Sequence, residues 1–138
     1  MKALQLALAP GAVAGIFSIF FGWLWMGVVF HRYQRLTPNT WRPENNKTYT
    51  LSSVISLLTC IAIATVFLLV ARMGGVFAGG LAGALRFAAV AWMAFAAPVL
   101  VNAAVFINLH PWVVVGQVVN ALTTSLLACG ITAWWRAT

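Results

Sequence analysis

Four long apolar runs alternate with three polar connections along the chain, at about residues 4–30, 51–71, 81–106 and 113–135. A hydrocarbon core of ~30 Å needs ~20 helical residues, and each run is long enough to cross it. Strands isolated in lipid would leave their backbone groups without partners, and four runs are too few to close a barrel. The pattern predicts an all-α fold, a single domain in which four transmembrane helices form an up-down bundle. The second and third connections, residues 73–80 and 108–111, are short, so consecutive helices are expected to be antiparallel neighbours. The first, residues 31–50, is longer and holds Thr37, Pro38 and Asn39, then Arg42, Pro43, Glu44, Asn45 and Asn46, residues that break helices. Pro10 is expected near a helix start or a kink, where its missing N–H does least harm.

Composition closes the alternative of a soluble globule. The 138 residues are 63% hydrophobic and 7% charged, with a mean hydropathy of +0.97. A soluble domain carries roughly 25% charged residues, and one this small could not hide so much apolar surface. The run after Lys2 extends well past the ~7–15 residues of a signal-peptide core, so it reads as a span.

Eight basic residues face one acid, Glu44, for a formal charge of +7. Most of the basic residues stand at the edges of apolar runs, which points to topology control and anionic lipid headgroups, not to nucleic acid. Arg32, Arg35, Arg72 and Arg86 are the expected headgroup or partner contacts. Arg32, Arg35, Arg42 and Lys47 lie on one side of the membrane, and Lys2, Arg72, Arg86 and Arg136 on the other, an even count. The dense cluster beside the first helix favours a cytoplasmic loop at 31–50 and periplasmic termini in a bacterial inner membrane.

The polar residues within the runs are few. Asn102, Gln117 and Asn120 fall within roughly 6–11 Å of one membrane face on the helical rise. Ser52, Ser56 and Thr59 recur along the second run from that same side. Interhelical hydrogen bonding is the ordinary fate of such groups in lipid. The alternative is a shallow polar pocket between the third and fourth helices, built on Asn102, Gln117 and Asn120. His31 and His110 share one membrane side and are the only candidates for a metal or haem site, although interfacial hydrogen bonding suits them better. The depths of Cys60 and Cys129 differ by roughly 11 Å, too far for a disulfide. No nucleophile–base pair, phosphate-binding glycine loop or zinc pattern appears, so neither enzyme activity nor a cofactor is expected.

Five tryptophans, Trp23, Trp25, Trp112, Trp134 and Trp135, fall near span ends as belt residues do. Trp92 sits mid-span. Small residues at Gly11 and Gly15 in the first run, and Ala88 and Ala91 in the third, form stripes that allow close helix approach. With Trp92 they are expected either to pack helices within the bundle or to dock another subunit.

Gly22, Trp23, Leu24 and Trp25 followed by Phe30, Gly80 to Ala84, and Val101, Asn102 and Ala103 through His110, Pro111 and Trp112 form a recurring pattern, with Gly116, Asn120, Trp134 and Trp135 beyond. It resembles that of a widespread bacterial family of small four-helix inner-membrane proteins, a domain of unknown function. Met26 stands where a tyrosine is common, and His110 replaces a usual arginine. The resemblance implies architecture and no activity. Absence of catalytic groups and small size favour a non-catalytic accessory subunit packed against a larger respiratory or photosynthetic complex. The second expectation is an independent binder or transporter of a small molecule or lipid, as a homodimer. The lack of an intramembrane carboxylate speaks against proton- or sodium-coupled transport.

Overall fold

The computed structural model describes residues 2–41 and 44–138, and within them the chain is helical with no strand. Arg42, counted above in the basic first connection, lies outside the described residues. The first span, Lys2–Val29, joins α1 (Lys2–Gly22) to a π-helical segment, Trp23–Val29. The connection holds a short α2 (His31–Gln34) and a 3₁₀ turn, Pro38–Thr40. The second span is α3 (Asn46–Arg72), followed by a 3₁₀ turn at Gly75–Phe77. The third, Gly80–Phe106, is interrupted: α4 (Gly80–Ala91), a π segment (Trp92–Ala96) and α5 (Ala97–Phe106). The fourth is α6 (Pro111–Ala137). Among the described residues, four helices are long and apolar enough to cross a membrane.

Local chemistry sets the ends. Asn45 caps α3 by accepting from the Thr48 N–H at 3.0 Å, while the Thr48 hydroxyl accepts from the Asn45 N–H at 3.1 Å. This reciprocal cap satisfies donors that a helix start leaves open, and it carries the helix five residues beyond the apolar run. At α6, Pro111 occupies the first turn and His110 Nδ1 accepts from the Trp112 N–H at 3.3 Å. The turn between the second and third spans requires positive φ at Gly74 (86°), Gly75 (75°) and Gly80 (56°), a region open to glycine at little cost.

The helices do not pair evenly. The first span lies closely along the second, both pack on α6, and the third span leans on α6 with only slight contact to the second. The expected neighbour relation of helices two and three is therefore thin. At their connected end the ring of Phe87 packs on those of Phe67 and Phe77, at centroid separations of 5.7 and 5.8 Å. The fourth helix is the axis of the bundle.

The core is built from small residues. Ala3, Ala7, Ala64, Ala84, Ala88, Cys129 and Ala133 are buried around Phe67 and Leu68. A Cβ on Gly11 would come within 2.7 Å of the Ile61 Cα, and one on Gly15 within 2.9 Å of the Leu57 Cα. These glycines let the α1 and α3 backbones touch. Pro10 is buried inside α1, away from the helix start, one of its two expected places. It adjoins Gly11, where the neighbouring backbone comes closest. Cys60 and Cys129 are buried and unbridged.

Candidate functional site

The two π segments share a construction. In each, a tryptophan carbonyl accepts a hydrogen bond from the N–H five residues on: Trp25 from Phe30 at 2.8 Å, and Trp92 from Ala97. In each, the indole of that tryptophan donates to α6. Trp92 Nε1 reaches the Val118 carbonyl at 2.9 Å, and Trp25 Nε1 the Thr123 hydroxyl at 3.2 Å. That hydroxyl donates in turn to the Val119 carbonyl at 3.0 Å. A residue inserted into a turn rotates everything beyond it by about 100° relative to an unbroken α-helix. Pro98, just past the second segment, has no N–H for the α-helical pattern there.

Between the first and second spans opens a crevice of about 710 Å³. One wall is the end of the first span, with Ser18, Ile19, Gly22, Trp23, Met26 and Gly27. The other is the start of α3, with Thr48, Tyr49, Ser52, Ser53 and Ser56. His31, Gln34, Thr40, Trp41 and Glu44 of the first connection line its mouth, and Asn120 of α6 reaches it from behind. From Thr48 to Ser56 the helical rise makes it roughly 12 Å deep. No lysine or arginine lines it among the described residues.

The polar groups of the mouth hold one another. The Tyr49 hydroxyl donates to Glu44 Oε2 at 2.6 Å. His31 Nδ1 stands 4.0 Å from Glu44 Oε1, and His31 Nε2 is 3.5 Å from Arg35 Nη2. Thr40 donates to the Asn108 carbonyl at 3.2 Å, tying the first connection to the third. Tyr33 stacks on His110 at 5.0 Å and on Trp112 at 6.1 Å on the same side. Two polar atoms of crevice residues remain buried without a partner, Trp41 Nε1 and Asn120 Oδ1. A Cβ on Gly22 would stand 3.7 Å from that oxygen, so the missing side chain leaves it room.

The polar residues named from sequence separate in the structure. Asn120 lines the crevice and also a second, smaller cavity of about 230 Å³ that includes Ser56, Thr59, Ala96 and Thr124. Gln117 is half-buried and lines neither, and Asn102 is exposed. The principal cavity thus lies between helices one and two, not three and four. Its position follows from Gly22 and Gly27, which leave space opposite the serines of α3.

His31 belongs to the crevice mouth while His110 caps α6, so the two are engaged by different groups. No cluster of three or more His, Cys, Asp or Glu able to hold a metal occurs among the described residues.

Of the two expected uses of the small-residue stripe, packing and docking, the burial pattern agrees with packing. Gly11, Gly15 and Ala88 are buried inside the bundle, and Ala91 and Trp92 are half-buried. Arg32 lies 4.7 Å over the Tyr33 ring and donates to its hydroxyl, and Arg86 reaches the Val76 carbonyl at 3.4 Å. Arg35 and Arg72 are exposed.

Ser18, Trp41, Glu44, Thr48 and Tyr49 were not visible as one site from sequence. The usable signal was the lone acid in a connection that also carries Trp41, close before the serine row of α3.

No curated protein and no solved structure matches the chain. A family model described as a protein of unknown function, DUF1761, matches residues 10–133, nearly the whole length, and the chain belongs to that family.

Proposed function

We propose that this membrane protein is a non-catalytic binder of a small polar or amphipathic molecule, held in the crevice between the first two spans. The observation that carries the reading is a row of hydroxyls, Ser18, Thr48, Ser52, Ser53 and Ser56, sharing that crevice with unpartnered polar atoms of Trp41 and Asn120. In hydrocarbon an amide or indole without a partner is costly, so a molecule that pairs with them is favoured over acyl chains. An accessory subunit, the first expectation from sequence, needed small residues free for a partner. Gly11, Gly15 and Ala88 face inward, so these three residues support packing within the bundle.

The test is native mass spectrometry of protein purified in gentle detergent. The wild type is expected to retain a small molecule that a crevice-filling Ser53→Trp variant of unchanged helical content lacks. Identical spectra would sink the reading.

The bilayer is proposed to be a bacterial inner membrane, with residues 31–50 cytoplasmic and both termini periplasmic. Cysteines at exposed Leu36 and Val76, on opposite ends of the bundle, should react with an impermeant thiol reagent from the cytoplasmic and periplasmic sides respectively. The reverse pattern inverts the assignment.

A further inference from the structure

Two cavities meet behind the second span. The crevice of about 710 Å³ and the smaller cavity of about 230 Å³ share Ser56 of α3 and Asn120 of α6 in their linings. Ser18 lines the first and Thr124 the second, and their hydroxyls are hydrogen-bonded at 2.8 Å. Short polar side chains thus stand where the two spaces adjoin. We infer that the spaces form one water-filled inlet, which runs from the side of the first connection past Ser56 and Asn120 and ends blind near the bilayer midplane. Such an inlet needs the crevice to be open to water and does not need it to hold a ligand.

Depth and chemistry both favour water in the inner cavity. On the helical rise Thr59 lies roughly 20 Å from the start of α3 and Ser125 roughly 21 Å from that of α6, about halfway along each helix. At that depth five of the nine described lining residues are polar: Ser56, Thr59, Asn120, Thr124 and Ser125. The hydroxyls of Thr65, Thr123 and Ser125 donate to carbonyls of their own helix. Those of Ser56 and Thr59 make no hydrogen bond among the described residues, and Asn120 Oδ1 is buried without a partner. Water donates to the amide oxygen and pairs with either hydroxyl, and the volume has room for several molecules. An acyl chain entering between the second and third spans would satisfy none of these groups. Beyond the midpoint the polar lining gives way to buried apolar clusters, with Ala14, Cys60 and Ala128 in one and Phe67 and Leu68 in the other. They close the inlet on the far side.

The experiment places single cysteines in the full chain in lipid nanodiscs, where both faces meet the solvent, and follows their reaction with methanethiosulfonate ethylammonium. Cys60→Ala and Cys129→Ala remove the native thiols. Should that background not fold, the wild type, with both cysteines buried, serves as host and blank. Only a thiolate attacks the reagent, and thiolates need water, so Thr59→Cys and Ser125→Cys should react at least about tenfold faster than Leu58→Cys, an exposed apolar position at the same depth. Ser53→Cys on the crevice wall should be fast as well. Adding Ser53→Trp should slow the inner cysteines severalfold, with Gly22→Val as a second blocking variant should the first not fold. Infrared spectra in D2O follow exchange of S–H for S–D at the same positions, with water itself as the probe should the reagent be too large to pass. Inner cysteines as slow as Leu58→Cys in both measurements, with Ser53→Cys fast, would overturn the inlet and leave the crevice and its binding role standing. Fast inner cysteines that ignore both blocking variants would mean that water enters elsewhere, and would overturn the continuity with the crevice.

Discussion

Trp92 donates its indole N–H to the Val118 carbonyl at 2.9 Å, from the first residue of a π segment to the first third of the fourth helix. The carbonyl belongs to α6, the helix that every other span packs against. The third span packs mainly on α6, so this bond helps fix its position against that helix. Trp92→Phe keeps the ring and removes the donor. It should lower stability by ~0.6–2 kcal/mol, the range of interhelical hydrogen bonds in membranes. Trp25→Phe should cost less, because Thr123 keeps its own bond to Val119. Unfolding in a denaturing-detergent titration, followed by circular dichroism, measures both. A larger loss for Trp25→Phe would reverse the ranking.

Glycine substitutions along the chain should divide sharply by what a Cβ would meet. Gly11→Ala and Gly15→Ala drive a methyl toward the α3 backbone at Ile61 and Leu57, and overpacking of this kind costs ~1–3 kcal/mol. At Gly130 the nearest atom is the Leu81 Cδ1 at 3.9 Å. There alanine should be neutral or stabilising by up to ~1 kcal/mol through helix propensity. Detergent melting curves of the three single variants check the contrast, and equal effects would mean that α1 and α3 are not in backbone contact.

Four membrane-spanning helices were legible because the hydrocarbon core demands ~20 apolar residues per span, a requirement that composition and run length report directly. The small-residue stripes at Gly11 and Gly15 were legible too, but not which backbone they would meet. That depends on helix rotation, and a π segment resets rotation by one residue without any change in hydropathy. The crevice was misplaced for the same reason. Asn102, Gln117 and Asn120 share a depth, and depth is a one-dimensional quantity. Which face each presents is decided by packing on α6, and only Asn120 turns toward the gap left by Gly22.

Ser18 and Thr124 form a buried hydroxyl pair at 2.8 Å joining the first and fourth spans. Either hydroxyl can donate, and α6 also carries other hydroxyls, at Ser125 and Thr132, that return to their own helix carbonyls. A double-mutant cycle with Ser18→Ala and Thr124→Val should give a coupling of ~0.6–1.7 kcal/mol. Purely additive losses would mean that the pair is exchanged for intrahelical bonds at no cost.

Asn120 should behave in the opposite sense to these packing residues. Its Oδ1 is buried without a partner, and an unsatisfied acceptor costs ~1–3 kcal/mol relative to a paired one. A residue retained for packing loses stability on truncation, whereas one that carries an open group toward a ligand loses binding instead. Asn120→Leu removes the orphan oxygen and fills part of the crevice with an apolar side chain of comparable size. The ligand-free protein should keep its melting temperature or gain up to ~1 kcal/mol of stability, since the desolvation penalty disappears. Retention of the crevice ligand in native mass spectra should fall at the same time. Asn120→Asp, which keeps the shape and places an acceptor-only group at the back of the site, should separate charge from size by destabilising the empty protein. If Asn120→Leu instead melts well below the wild type while its ligand content is unchanged, then Asn120 is a packing residue and the crevice binds without it.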